Sequence, residues 1–270
     1  MPDTTMRLGR SLVHHGPLND RVYLMKLDPK DMPVMPCTLL FLARRNGRGK
    51  VIAKVPEAYR KDFLSYGYEV EAVVKGMMGG EDGYFMSFFL DQSRRGGLEL
   101  KEQQILHKAQ SSEKRIKSTH EVSELSGNDA REMALLMNKV FPSYPFPMSN
   151  PDYILHCMSG NVVYYGIKEK GKLVAMGAAE MDENNLCVEM TDLATHPIYR
   201  GMGMSSSLLI HMEGEMRKRG YRVAFTIARS ASTGMNIVFS RGGYNYGGTL
   251  SRNTNIFGNL ENMNIWYKSL

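Results

Sequence analysis

One segment constrains the fold of this chain more than any other: Glu189-Met-Thr-Asp-Leu-Ala-Thr-His-Pro-Ile-Tyr-Arg-Gly-Met-Gly-Met-Ser-Ser-Ser-Leu-Leu209. A strand pattern ends at Thr195, His196-Pro197 breaks it, and Arg200-Gly-Met-Gly-Met-Ser205 turns into a helix. Glycines in such a turn let successive N–H groups point into one cavity, and the helix N-terminus adds a potential favourable to an anion. A phosphate-bearing cofactor is the natural occupant. The spacing fits neither Gly-x-Gly-x-x-Gly, since only Gly201 and Gly203 are present, nor the P-loop, which ends in Gly-Lys-Ser/Thr. An αβ turn that needs positive φ would explain a lone Gly-x-Gly equally well. The surroundings must decide.

Helical and strand patterns alternate on both sides. Ser126 reads as the N-cap of a helix whose apolar face carries Met133, Leu136, Met137 and Val140. The run Phe141-Pro-Ser-Tyr-Pro-Phe-Pro-Met148 stops it, because proline lacks an N–H and its predecessor avoids helical angles. A short helix follows over Asp152–Met158, then strands over Val162–Lys168, Leu173–Met181 and Leu186–Thr195. Gly203–Lys218 is a helix ending on basic residues and Gly220. Tyr221–Ala228 reads as a strand, Thr233–Arg241 as a short helix, and two more strands flank a loop near Asn253–Leu260. This order is an α/β layout with a mixed sheet.

A strand, a proline, Arg-Gly-x-Gly, an amphipathic helix, a strand and a short helix ending at Gly243-Tyr244 together resemble the GNAT acyltransferase family. The resemblance covers Val122 to Leu270 and implies a mixed, mostly antiparallel sheet flanked by helices, with acetyl-CoA as cosubstrate. The family pattern Arg/Gln-x-x-Gly-x-Gly/Ala is met by Arg200, Gly203 and Ser205, the serine being a departure. It implies a pantetheine arm paired with the backbone of Leu193, Ala194 and Thr195. It also implies a pyrophosphate in the turn that starts at Gly201, on N–H groups of Met202, Gly203, Met204, Ser205 and Ser206. Tyr144-Pro-Phe-Pro, Gly243 to Leu250, Asn253-Thr-Asn-Ile and Glu261 to Tyr267 look like the β-lysine N-acetyltransferases of this family. That likeness implies acetylation of the terminal amine of L-β-lysine to the compatible solute N6-acetyl-β-lysine.

Acetyl transfer to an alkyl amine makes its own demands. With an ordinary pKa near 10.4, only about one such amine in 10³ is neutral at neutral pH, so a group must accept its proton. Glu189 and Asp192 are the carboxylates of the key strand. Their odd separation points them to opposite faces unless a bulge intervenes. Glu189 lies six residues before Thr195, where the histone acetyltransferase branch of the family places its base, so Glu189 is favoured and Asp192 is the alternative. The family's acid is a tyrosine at the position of Phe239, which cannot donate a proton and would only line the cofactor. Tyr244 or Tyr246 would substitute, or the thiolate would leave unassisted. The family's cofactor-contacting asparagine is Ser232 here, and Asn236 is the candidate to cover its role. Tyr144, Phe146, Asn253, Glu261 and Asn264 are the substrate candidates. His14-His15 has no partner at metal-ligand spacing, so no metal is implied. Another small amine acceptor, such as a polyamine or lysine derivative, stays open. So does a non-catalytic acyl-CoA-binding sensor, which a missing acid would suit.

The chain is 270 residues long, enough for one large or two modest domains. Its net charge of +6 lies wholly in residues 1–120, which hold 20 Lys+Arg against 14 Asp+Glu. A polar stretch from Lys108 to His120, with a helical start over Lys101–Ala109, suggests a boundary near 118 between an N-terminal α/β domain (1–118) and a GNAT domain (119–270). Lys50–Val55, Glu57–Ser65, Gly67–Val74 and Tyr84–Leu90 read as strand, helix, strand and strand, echoing Tyr221–Tyr267. Residues 1–110 are therefore expected to form a degenerate GNAT-like half without the phosphate turn. The basic run Arg44-Arg-Asn-Gly-Arg-Gly-Lys50 reads as a solvated loop, with no nucleic-acid module around it. Three cysteines and the absence of an 18-residue apolar run or a signal-like leader suggest a cytoplasmic protein with no membrane or nucleic-acid partner. Oligomeric state, a dimer included, stays open.

Overall fold

The computed structural model describes residues 3–141, 144–256 and 258–270; Pro142 and Ser143, in the expected helix stop, and Phe257 lie outside the described residues. The N-terminal half comprises β1 (Thr4–Leu8), β2 (Ser11–Gly16), β3 (Arg21–Lys26), α1 (Met35–Arg45), β4 (Lys50–Pro56), α2 (Arg60–Ser65), β5 (Glu69–Met78) and β6 (Glu81–Phe89). After α3 (Leu100–Gln110) come β7 (Ser123–Glu124), α4 (Ala130–Val140), α5 (Pro151–Met158), β8 (Val162–Glu169), β9 (Lys172–Asp182) and β10 (Cys187–Thr195). The chain ends with α6 (Met204–Lys218), β11 (Val223–Arg229), α7 (Thr233–Arg241), β12 (Asn245–Ile256) and β13 (Asn259–Ser269). Among the described residues no helix is long and apolar enough to cross a membrane.

All the strands join one sheet, ordered β1-β2-β3-β4-β6-β5-β12-β13-β11-β10-β9-β8-β7. The first six strands repeat the order of β8-β9-β10-β11-β13-β12. The senses repeat as well: β3 and β4 pair in parallel like β10 and β11, and the other neighbours are antiparallel. Equivalent strands meet at the middle, where Gly248 of β12 faces Ala72 of β5. The β3–α1 connection, residues 27–34, has no glycine, unlike the β10–α6 turn.

Alternation along β10, β11 and β13 sends side chains to two cores. Val188, Met190, Ala224 and Trp266 pack under α6 and α7. On the other face Cys187, Val223, Phe225 and Ile265 pack against Tyr23, Ile52, Val74 and Phe85 of the N-terminal half. The Phe85 and Phe225 rings lie 6.2 Å apart. The two halves therefore fold face to face, and α4 and α5 cover the rest of the C-terminal face over Tyr164, Met176 and Ala178. The α3 helix lies on α7, where Ser240 Oγ donates to Ala109 O (2.7 Å), and is tied to β13, where Asn262 Nδ2 donates to Glu102 Oε2 (2.7 Å).

β1, β2 and β3 lie outside the elements that the sequence patterns predict. The loop expected near Asn253–Leu260 is largely hairpin, with Ile256 paired to Asn259. Lys50 is not part of a solvated loop. It is fully buried and donates to Glu71 Oε2 (2.6 Å) and Ser251 O (2.8 Å).

Candidate active site

The key strand carries a bulge. Thr191 pairs with Ala178 and Ala194 with Met176, so Asp192 and Leu193 together oppose Gly177. Asp192 takes a positive φ of 52°. Gly177 leaves space for the Leu193 side chain, since a Cβ there would lie 2.8 Å from Leu193 Cδ2. The extra residue turns Asp192 to the same face as Glu189, which a regular strand forbids. Glu180 joins them, because it is the register partner of Glu189 across the β9–β10 turn.

Two aromatic walls and one cation close this acidic cluster. Tyr144, from the α4–α5 loop, donates to Asp192 Oδ1 at 2.8 Å. Phe146 in the same loop lies 4.9 Å from the ring of His14 on β2. From β4, Lys54 directs its ammonium between the rings of Tyr23 (5.9 Å) and Phe225 (5.8 Å). Burial and the Glu180 charge push Glu189 up to about 8, with Lys54 opposing and Asp192 adding. Burial also pushes Asp192 up to about 6, against the hydrogen bond from Tyr144. The charges of Glu189 and Glu180, with the Tyr23 phenol, outweigh burial and raise Lys54 above its ordinary value. Glu189 is thus a carboxyl whose proton affinity lies near the neutral range, which suits proton acceptance from an amine.

Beside the cluster the sheet opens. β10 and β11 pair only from Cys187 to Glu189 and Val223 to Phe225, then diverge. Among the described residues, the β11-facing backbone of Leu193, Ala194 and Thr195 has no strand partner beyond that point. Past the opening lies the glycine turn. Gly201 and Gly203 have φ of 81° and 83°, and Gly203 caps α6. Ser207 N–H makes the first helical bond, to Gly203 O (3.0 Å), which leaves the N–H groups of Met204, Ser205 and Ser206 ahead of it. Arg200 Nε approaches Thr195 O (3.4 Å), and Thr195 Oγ1 lies 3.2 Å from Ser205 Oγ. Met202 is exposed, whereas the Met204 side chain is core. Thr119 N–H donates to Ser207 Oγ (3.0 Å), so the expected linker runs over the start of α6.

Four sequence-stated candidates are placed otherwise. Asn236 is fully buried, and its Oδ1 accepts from Asn264 Nδ2 and Trp266 Nε1 (both 2.9 Å) while its Nδ2 donates to Arg229 O (2.9 Å). It is satisfied within the fold, and Asn264 is spent in the same network, accepting from Thr249 Oγ1 (2.7 Å). Phe239 is core, 5.1 Å from Tyr244. Tyr244 belongs to the core under α6 and α7, on the sheet face opposite Glu189, where burial and the Glu213 charge hold its phenol well above the usual value. Of the remaining candidates, Glu261 has both oxygens on Arg229 (2.7 Å each), and buried Asn253 leaves Oδ1 unpartnered.

Sequence reasoning missed Glu180, Lys54 and Tyr23. Pairing about the Asp182–Asn185 turn would have found Glu180, and a lone lysine in the apolar Val51–Val55 run marks Lys54.

The model of the Acetyltransferase (GNAT) family matches residues 131–237. Over 268 residues the chain is 39% identical to a Beta-lysine N(6)-acetyltransferase of Methanococcus maripaludis, covering 97% of each. It is 30% identical over 255 residues to a Beta-lysine N(6)-acetyltransferase of Methanosarcina mazei, covering 85% of this chain and 94% of that one. Among solved structures, an N-acetyltransferase from Staphylococcus aureus Mu50 aligns with a TM-score of 0.50 and 13% identity, over 56% of this chain and 99% of that chain, a likeness of fold alone. The chain is an N-acetyltransferase of the GNAT family.

Proposed function

We propose that this protein transfers the acetyl group of acetyl-CoA to the terminal amine of L-β-lysine, giving N6-acetyl-β-lysine. The observation that carries the reading is the acidic cluster of Glu180, Glu189 and Asp192 beside the diverging β10 and β11, enclosed by the N-terminal half. The names of the two relatives support the acceptor. Residues 1–118 act as a degenerate GNAT-like half that roofs the acceptor site.

In this mechanism acetyl-CoA supplies the thioester. The backbone of Leu193–Thr195 aligns the pantetheine arm, and Arg200 with the N–H groups from Met202 to Ser206 holds the pyrophosphate. The acidic cluster draws in the alkyl ammonium, and the Glu189 carboxylate takes its proton. A base near 8 fits this step better than an ordinary carboxylate, because its proton affinity lies closer to that of the amine. With Tyr244 on the far face, and Tyr246 packed on Trp266 with its hydroxyl bonded to Thr249 Oγ1, the thiolate leaves unassisted, as a thiol pKa of about 8.5 permits. Tyr144 keeps Asp192 ionised as an anchor for the ammonium.

A thiol-release assay across an amine panel tests the function. Release is expected with β-lysine well above spermidine and α-lysine. Release with spermidine alone favours a polyamine enzyme, and tight CoA binding with no release favours a sensor.

Two further outcomes follow from the geometry. Gly203→Val forces a β-branched residue to φ 83° and brings a Cβ within 3.3 Å of Thr119 Oγ1. The Kd for CoA, by calorimetry, should rise roughly ten- to hundredfold, about 1.4–2.8 kcal/mol. Tyr144→Phe removes the hydrogen bond that favours charged Asp192, so its carboxyl should titrate above about 6. Carboxyl carbon shifts followed by NMR against pH read this directly, and an unmoved titration would count against the assignment.

A further inference from the structure

We propose that Arg21, on β3 of the N-terminal half, binds the carboxylate of the acceptor, so that both halves build the substrate site. The inference rests on the β-lysine reading above and assigns the recognition of its amino-acid end.

Arg21 is 4% exposed. Its Nη1 donates to Asn253 O (2.7 Å) and Thr254 Oγ1 (3.1 Å), while its Nε is buried without a partner. No carboxylate lies within 4.0 Å of it among the described residues. A buried cation in that state is costly, and the fork formed by Nε and Nη2 is the edge that meets a carboxylate with two parallel hydrogen bonds. Two other buried polar atoms, on residues paired with Arg21 or Tyr23, also lack partners among the described residues. They are Asn253 Oδ1, on the residue whose carbonyl Arg21 already holds, and His14 Nδ1, on the β2 residue that pairs with Tyr23. An unpartnered amide oxygen beside a carboxylate-binding fork suits a 3-aminocarboxylate, whose ammonium it would accept.

The location fits the reacting centre. Arg21 and Tyr23 share one face of β3, roughly 6.7 Å apart along the strand. The Arg21 guanidinium lies 5.1 Å from the Tyr23 ring, and that phenol is raised by burial and feels the charges of Lys54, Glu189 and Glu180. From the terminal amine to the carboxyl carbon, β-lysine has six bonds of about 1.5 Å, a zigzag reach of roughly 7–8 Å. Lys54 is the rival cation, but the carboxylates of the cluster already engage its charge. Arg21 feels the charge of Asp3, but that carboxylate stands beyond 4.0 Å and already accepts from the Leu18 and Asn19 N–H groups and the Asn19 side-chain amide.

The test compares kcat/KM for β-lysine and for 1,4-diaminopentane, which keeps both amines of β-lysine at their spacing and lacks the carboxylate, using the full-length protein. Arg21→Gln should lower the preference for β-lysine about a hundredfold, mainly through KM, and Arg21→Lys should restore part of it. An equal loss on both substrates, or an unchanged preference, overturns the assignment of Arg21. Wild-type enzyme and β-lysine carboxamide give a second arm that needs no variant. The amide should show a KM about a hundredfold higher, and equal use of acid and amide overturns the proposal. A wild-type enzyme that prefers diaminopentane to β-lysine overturns the acceptor assignment as well.

Discussion

Glu189→Gln lowers kcat/KM for amine acetylation at neutral pH by about 10²–10⁴-fold, the usual contribution of a positioned base. The wild-type rate should rise with pH and bend near 8, where Glu189 ionises. The variant should lack that bend and keep recovering toward the amine pKa of about 10.4, because only amine already neutral can react. An unchanged pH–rate profile would remove Glu189 from the role of base. Stability moves the other way. Glu189 is raised from 4.5 to about 8 and Asp192 from 3.8 to about 6, so between these limits the folded state binds more protons than the unfolded chain. Ligand-free protein therefore loses stability as pH rises from about 4 to 8. Glu189→Gln removes the larger part of that slope and should melt above wild type at pH 8, a cost of catalytic charge that other active sites share.

The second large effect lies at the junction of the halves. Gly248 sits at φ 138°, and a Cβ there would stand 2.2 Å from Glu71 O and 2.7 Å from Ala72 Cα. Neither obstacle is a side chain that can swing away. Gly248→Val should destabilise the protein by more than about 3 kcal/mol in denaturant unfolding, among the larger single-site effects. Any folded remainder should lose acetylation more than CoA binding, because Lys54 and Tyr23 reach the acceptor site across this junction while the glycine turn does not. Gly214→Ala is the control. No atom lies within 4 Å of its added Cβ in mid-α6, and it should be neutral or stabilising by up to about 1 kcal/mol. Equal behaviour of the two variants would show that the halves do not depend on this contact.

Much of the C-terminal fold was legible because its signals are local. The α7 helix spans Thr233–Arg241 as read, and the glycine turn adopts the two positive φ values its residues suggested. The bulge was not legible. Nothing in Glu189-Met-Thr-Asp-Leu distinguishes a regular strand from one with an extra residue, and the bulge shows only in the register against β9. Asn236 and Tyr244 were assigned by position in a family pattern, whereas their surroundings are set by Trp266, Asn264 and Glu213 from other elements. The basic N-terminal half misled most. Its surplus charge reads as solvated surface, yet Arg21, Lys50 and Arg94 are buried, and each bonds to a backbone carbonyl of the stretch Ser251–Asn253. Charge in this half serves the junction. Burial of that kind depends on long-range pairing that composition does not carry.

The central claim is tested most directly by product analysis. Purified protein is incubated with acetyl-CoA and L-β-lysine, and the product is assigned by NMR. The account predicts one acetyl group, on the terminal nitrogen, formed with stoichiometric release of CoA. Acetylation at the 3-amino group, or no acetylated β-lysine while another amine is turned over, would contradict it.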